Sequence, residues 1–331
     1  MLDAELVYFG VFLALAFDFG NGWNDAANAI STVVATRVLT LRQAVVLSAS
    51  CNFIAAFLFS TAVAETIGKG IVAPNSVSVP VVLCSLIGAI LWVYITTLKG
   101  LPISASHSLI GGLVGASVAA NGMGILQWGG ITKVIAFIIL APFLGFIGAV
   151  IFSLIILNLV KKSRPDSVNS LFRKLQLVSV SIYSLGHGTN DAQKTMGVIT
   201  LLLFSGGFLG GEFHVPWWVI IASHGTIALG TLAGGMKVIK TMGMKITKLK
   251  PIHGFCAETS GAAVIIWSTL MGIPVSTTHV IAGSIGGVGV TKRTSAVRWG
   301  IARNIVYAWV LTIPVTALIG AATYLLFKSL F

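Results

Sequence analysis

Charge is what this 331-residue chain has least of: 21 Lys and Arg and nine Asp and Glu make up 9% of it, against 56% hydrophobic residues. Mean hydropathy is +0.96. A soluble domain cannot cover so much apolar surface with so few charges, so the bilayer is the expected solvent. Cysteine is scarce too. Cys51, Cys84 and Cys256 are odd in number and lie in apolar settings without metal-ligand spacing, which excludes a disulfide framework or a zinc site and leaves them as small hydrophobes. The opening Met-Leu-Asp-Ala-Glu lacks the basic stretch of a secretory signal, so no cleaved segment is expected. No nucleophile stands at recognisable spacing from a base, which argues against a membrane enzyme such as a phosphatase.

What is present is long apolar runs, such as 134–160 and 304–327, each sufficient for one helix across a hydrocarbon core of about 30 Å. The formal charge of +12 would suggest nucleic acid in a soluble protein. Here the basic residues gather in short connections, 161–174, 237–250 and 292–303, the pattern of cytoplasmic loops on an inner or plasma membrane, and nucleic-acid binding is excluded.

The chain is also a repeat. Gly22-Trp23-Asn24-Asp25-Ala26-Ala27-Asn28 is echoed by Gly188-Thr189-Asn190-Asp191-Ala192-Gln193-Lys194. Leu101-Pro102-Ile103-Ser104-Ala105-Ser106-His107 is echoed by Ile273-Pro274-Val275-Ser276-Thr277-Thr278-His279. Between them, Thr66-Ile67-Gly68 pairs weakly with Thr241-Met242-Gly243. Two repeats over 1–160 and 175–331 are therefore expected, joined by a short basic cytoplasmic linker at 161–174. Acidic Asp3 and Glu5 precede the first motif and Arg37 and Arg42 follow it. The second motif is preceded by 161–174 and followed by Glu212, so the copies should insert in opposite senses. Tracing basic loops as cytoplasmic gives about five crossings per half, with both termini outside. The expected fold is an all-α polytopic membrane protein of two inverted-topology repeats, with segments 102–120 and 274–290 as re-entrant hairpins, partial spans or both.

Five acids fall in terminal, loop or boundary positions: Asp3, Glu5, Asp166, Glu212 and Glu65. Asp18, Asp25, Asp191 and Glu258 lie within apolar segments, where a charge costs at least about 2.5–3.5 kcal/mol and a functional role is the first reading. The apolar run 6–34 is long for one span and contains Gly20-Asn21-Gly22 just before Asn24-Asp25, so a broken helix is expected there. Asn24, Asp25, Asn28, Asn190 and Asp191 offer hard oxygens suited to a small cation such as sodium, while interhelical hydrogen bonding is the structural alternative for each Asn.

The paired Pro-x-Ser-x-Ser/Thr-His segments offer hydroxyls and freed backbone N–H groups at the start of a half-helix, which favours an oxyanion. No arginine cluster lies there, so anion binding would rely on neutral donors, helix ends and co-bound cations. His107 and His279 serve either as proton relays or as structural hydrogen bonders. Gln193 and Lys194 break the symmetry, standing where the first copy has Ala27 and Asn28. Lys194 is suited to offset a bound anion or pair with an acid; its alternative is snorkelling to the interface.

These motifs, over nearly the whole chain, resemble those of the inorganic phosphate transporter (PiT) family. The resemblance implies a sodium- or proton-coupled phosphate symporter working by alternating access, with inverted repeats and a homodimer in the membrane, using sodium as co-substrate and no cofactor. It puts Asn24, Asp25, Asn190 and Asp191 in the substrate and ion site, and Ser104, Ser106, Ser276, Thr277 and Thr278 around phosphate; Gln193 is a further candidate for the phosphate site. Glu258 and Glu65 fall where relatives carry glutamates tied to transport, and Lys194 joins them as a coupling candidate. A proton-coupled phosphate, metal-phosphate or sulfate permease is the alternative; an anion channel, the rival of another class, would need no cation coupling.

Overall fold

The computed structural model describes residues 2–58 and 60–330, with side chains from residue 4 onward, so the Asp3 carboxylate invoked for orientation lies outside the described residues. Twelve α-helices are described: α1 (Leu2–Ala35), α2 (Leu41–Ile54), α3 (Ala62–Gly70), α4 (Val79–Lys99), α5 (Ala105–Asn121), α6 (Trp128–Val160), α7 (Pro165–Ser205), α8 (Trp217–Ala233), α9 (Met236–Lys240), α10 (Pro251–Leu270), α11 (Thr277–Lys292) and α12 (Trp299–Leu330). A π-helical stretch, Thr241–Lys245, continues α9. Of the linker expected at 161–174, only 161–164 is non-helical, because Pro165 opens α7 with the pre-set φ that suits a first helical turn.

The order of elements recurs. A long helix (α1, α7) is followed by a bent pair (α2–α3, α8–α9), then two helices joined by an extended Pro-x-Ser segment (α4–α5, α10–α11), then a long helix with one internal proline, Pro142 in α6 and Pro314 in α12. Four single helices, α1, α4, α6 and α12, are long and apolar enough to span a membrane, and the two bent pairs bring the number to six. The other expected crossings fall on α7 and α10, which carry many buried polar groups, and on α5 and α11, of 17 and 16 residues. These helices are wrapped by their neighbours, so their own sequences need not be lipid-compatible.

Broken helices are present but not where the glycines suggested. The bends are 81° between Leu41–Phe57 and Ala62–Gly70 and 68° between Trp217–Ala233 and Met236–Lys245, whereas α1 runs unbroken through Gly20-Asn21-Gly22. The physical reason is close approach. A Cβ on Gly22 would lie 2.3 Å from the Ile227 carbonyl oxygen, and one on Gly20 would lie 2.5 Å from the Tyr94 ring. Gly230 of α8 answers Gly22, its added Cβ falling 2.2 Å from the Phe19 carbonyl oxygen. Small residues let membrane helices pack backbone to backbone, and these glycines seat α1 on α8 and α4.

The long proline-containing helices cross between the halves: α6 packs on α11 and α10, while α12 packs on α5 and α4. Apolar packing forms two clusters, one centred on α4 and α5, the other on α10 and α11. The polar segments of α1 and α7 run between them.

Gly22→Val should force α1 from α8. Overpacking of this kind costs about 1–3 kcal/mol, so the melting midpoint of the detergent-solubilised protein should fall by several degrees; an unchanged midpoint would show that the contact yields without cost.

Candidate functional site

Two carboxylates meet at the centre. Asp25 on α1 and Asp191 on α7 are 3% and 1% exposed, and the Thr277 hydroxyl lies 3.0 Å from Asp191 Oδ2 and 3.5 Å from Asp25 Oδ2. Thr278 Oγ1 lies 3.4 Å from Asp25 Oδ1 and donates to the Ile103 carbonyl at 2.8 Å. Asn28 donates its amide to Thr278 Oγ1 at 2.8 Å and to Thr277 Oγ1 at 3.3 Å. Thus Asp25, Asn28, Asp191, Thr277 and Thr278 come together from α1, α7 and the start of α11.

The two asparagines beside the acids are held alike. Asn24 Nδ2 donates to Thr97 Oγ1 at 2.7 Å, and Asn190 Nδ2 donates to Thr269 Oγ1 at 2.8 Å. In both, the buried Oδ1 has no protein donor. An unpaired buried carbonyl costs about 1–3 kcal/mol, and it is the group a hard cation takes up.

Lys194 does not snorkel. It is 1% exposed; its ammonium donates to Asp191 Oδ1 and, at 2.7 Å, to the Val275 carbonyl. His187, one turn before Asp191, was not foreseen. Asn52 Nδ2 donates to Thr231 Oγ1 at 2.9 Å, which turns Asn52 Oδ1 toward His187 Nδ1 at 3.2 Å. Nδ1 is then the donor, and His187 Nε2 stands 3.2 Å from Asp191 Oδ2, an approach that calls for a proton or another cation between them. One donor atom from each of Asp25, His187 and Asp191 lies within 4.8 Å of the others.

The hairpin serines cap helices. Ser104 Oγ accepts from His107 N at 3.2 Å and Ser276 Oγ from His279 N at 3.3 Å, leaving each hydroxyl proton free to donate. The rings of His107 and His279 meet edge to face at 4.7 Å, and His279 stacks on Trp309 at 3.8 Å. His279 Nδ1 lies 3.4 Å from the Ile138 carbonyl, which Pro142 releases from the helical ladder. Ser106 is buried at the first turn of α5.

Gln193 lies elsewhere: its Oε1 accepts from Val63 N at 2.8 Å and Ala64 N at 3.3 Å, capping α3. Glu65 stands just beyond that cap on the rim of a surface cavity of about 580 Å³, where Lys69 approaches it at 3.8 Å. Asp18 accepts from Thr195 at 2.8 Å, with Oδ2 unpartnered. Glu258 forms a separate buried cluster. It accepts from Thr32 at 2.6 Å, from Gln176 Nε2 at 2.8 Å and from Ser179, while Thr36 donates to Gln176 Oε1 at 2.8 Å. Thr97 and Thr269, also unforeseen, each stand seven residues before a motif serine; extending the repeat alignment backward would have found them.

A family model described as the phosphate transporter family matches residues 21–320. The chain is 54% identical over 312 residues to a probable low-affinity inorganic phosphate transporter of Rhizobium meliloti (strain 1021), covering 94% of this chain and 93% of that protein. It is 43% identical over 324 residues to a protein of the same description from Bacillus subtilis (strain 168), covering 97% of each. The solved structure of the sodium-dependent phosphate transporter matches at a TM-score of 0.88 and 26% identity, covering 99% of this chain and 100% of that one.

Glu258→Leu would strand three buried donors at about 1–3 kcal/mol each. Folded yield in detergent should collapse, whereas Glu258→Gln, which keeps an acceptor, should retain most of it; equal yields would remove the cluster from the stabilising framework.

Proposed function

Because the chain belongs to the phosphate transporter family, we propose that it is a secondary symporter carrying inorganic phosphate with sodium, by alternating access between two inverted repeats, 1–160 and 175–331. Asp25, Asp191, Asn24, Asn28 and Asn190 line the cation-binding centre; Thr277, Thr278, Ser104, Ser106 and Ser276 serve phosphate, while Gln193, engaged as the cap of α3, stands outside it. Glu258 and Glu65 lie apart from this centre and act on the moving helices rather than on the cargo. The protein works as a homodimer in the plasma membrane with both termini outside.

The observation that carries this reading is the Thr277 hydroxyl between two buried carboxylates. Two carboxylates with only the Lys194 ammonium between them leave a net negative charge that repels a phosphate anion, and they also draw the Thr277 hydroxyl proton. A sodium ion bound at Asp25, with the open Oδ1 of Asn24 beside it, removes that repulsion and releases the Thr277 hydroxyl to donate to phosphate. Cation and anion therefore stabilise each other's binding, which is the linkage a symporter needs. With sodium bound, the two carboxylates are balanced by the Lys194 ammonium and the cation, so the phosphate anion enters a centre that no longer repels it. The close approach of His187 to Asp191 supports a second reading, in which a proton takes the place of sodium.

Uptake of labelled phosphate into proteoliposomes under a sodium, potassium or pH gradient tests this. Sodium alone should drive accumulation, and Asp25→Asn or Asp191→Asn should lower it about ten- to a hundredfold, the loss of one charge-assisted ligand. Accumulation driven only by pH would make protons the coupling ion; phosphate flux without accumulation would make the protein a channel.

A further inference from the structure

The pseudo-equivalent positions of the two halves can be compared atom by atom around the carboxylates. In the first half, Asp25 and the Ile103 carbonyl are joined through Thr278 Oγ1, 3.4 Å from the acid and 2.8 Å from that carbonyl. In the second, Asp191 stands near the Val275 carbonyl, and one ammonium, Lys194 Nζ, contacts both. Asn28 matches Lys194 in the repeat, and its neutral amide turns instead to Thr277 and Thr278. Each half thus gathers a carboxylate, a Pro-x-Ser carbonyl and a neighbouring asparagine with an open Oδ1. Only the second half carries a positive charge of its own among them.

We propose that Lys194 is a tethered cation: its ammonium holds the second of two pseudo-equivalent cation sites, so that the protein binds one mobile cation, at Asp25, where a symmetric protein would bind two. This rests on the reading of the acids as cation ligands. An ammonium and a sodium ion are both satisfied by carboxylate and carbonyl oxygen, but the ammonium is covalently attached and cannot leave with the cargo. Three features support a fixed occupant. Lys194 is 1% exposed, both of its acceptors are backbone or buried carboxylate groups, and α7 continues as helix on either side, so there is no slack for withdrawal. The consequence is one less charge translocated per cycle and a weaker concentrating power.

Equilibrium binding of radiolabelled sodium to the purified full-length protein in detergent tests this without requiring transport. The wild type should bind one sodium per chain, abolished by Asp25→Asn and kept by Lys194→Arg. Lys194→Asn, which installs the first half's residue, should bind two, with the second abolished in Lys194→Asn/Asp191→Asn. Two sodium ions in the wild type would overturn the proposal, as would one in a folded Lys194→Asn. If Lys194→Asn survives purification only in sodium and unfolds in choline, the second cation is stabilising the fold as expected. If it fails to fold even in saturating sodium, sodium cannot replace the ammonium and the proposal falls. No sodium on the wild type but one on Lys194→Asn would overturn sodium coupling while leaving the tether in place.

Discussion

Two acids of the same sign, buried in a medium that cannot solvate them, are the constraint around which this protein is arranged. Bringing Asp25 and Asp191 to one threonine hydroxyl is unfavourable unless something positive joins them, since removing a carboxylate from water costs several kcal/mol even after relaxation. One resident compensation is Lys194 on Asp191. On the proposed reading, the remaining negative charge favours cations and makes binding of an anion conditional on them. Helix packing serves the same end: the glycine contacts of α1 with α8 hold the polar side chains of α1 in the buried centre without unwinding the helix.

The symmetry of the frame and the asymmetry of the chemistry have different origins. Caps, proline positions, the Asn–Thr clamps and the hairpin turns recur in both halves, because each half must solve the same packing problem. His187, Lys194 and Glu258 have as counterparts Asn21, Asn28 and Leu86, so three ionisable groups stand on one side only. A strictly symmetric centre would hold any small cation on equal terms at both acids. The departure gives the two acids separate tasks.

Much of this was legible from residues alone. The long apolar runs carried the all-helical class and the doubled motifs the family, and the scarcity of acids isolated Asp18, Asp25, Asp191 and Glu258, because burial of charge needs a reason that a single sequence displays. The position of the breaks was legible only in part: the α8–α9 bend falls on Gly234-Gly235, with Gly234 at φ +57°, but the other sites gave no such signal. A glycine in sequence is equally a hinge and a contact, and only the Ile227 carbonyl 2.3 Å from the would-be Cβ of Gly22 distinguishes them. The bend between α2 and α3 has neither glycine nor proline at 58–61, so no local residue announces it. Gln193 as the cap of α3 and His187 beside Asp191 depend on distant chain segments, which pattern reading does not bring together.

The exchange of long helices between the halves bears on how the chain is made. α5 presents Gly111 and Gly115 to the backbone of α12, synthesised long after it, while α11 presents Gly283 and Gly287 to α6, already complete. During translation, then, the first half must wait with a bare glycine face for its partner, whereas the second folds against a template. Assembly is directional even though the finished frame is nearly symmetric, and a ribosome that stops before α12 leaves a first half unable to close.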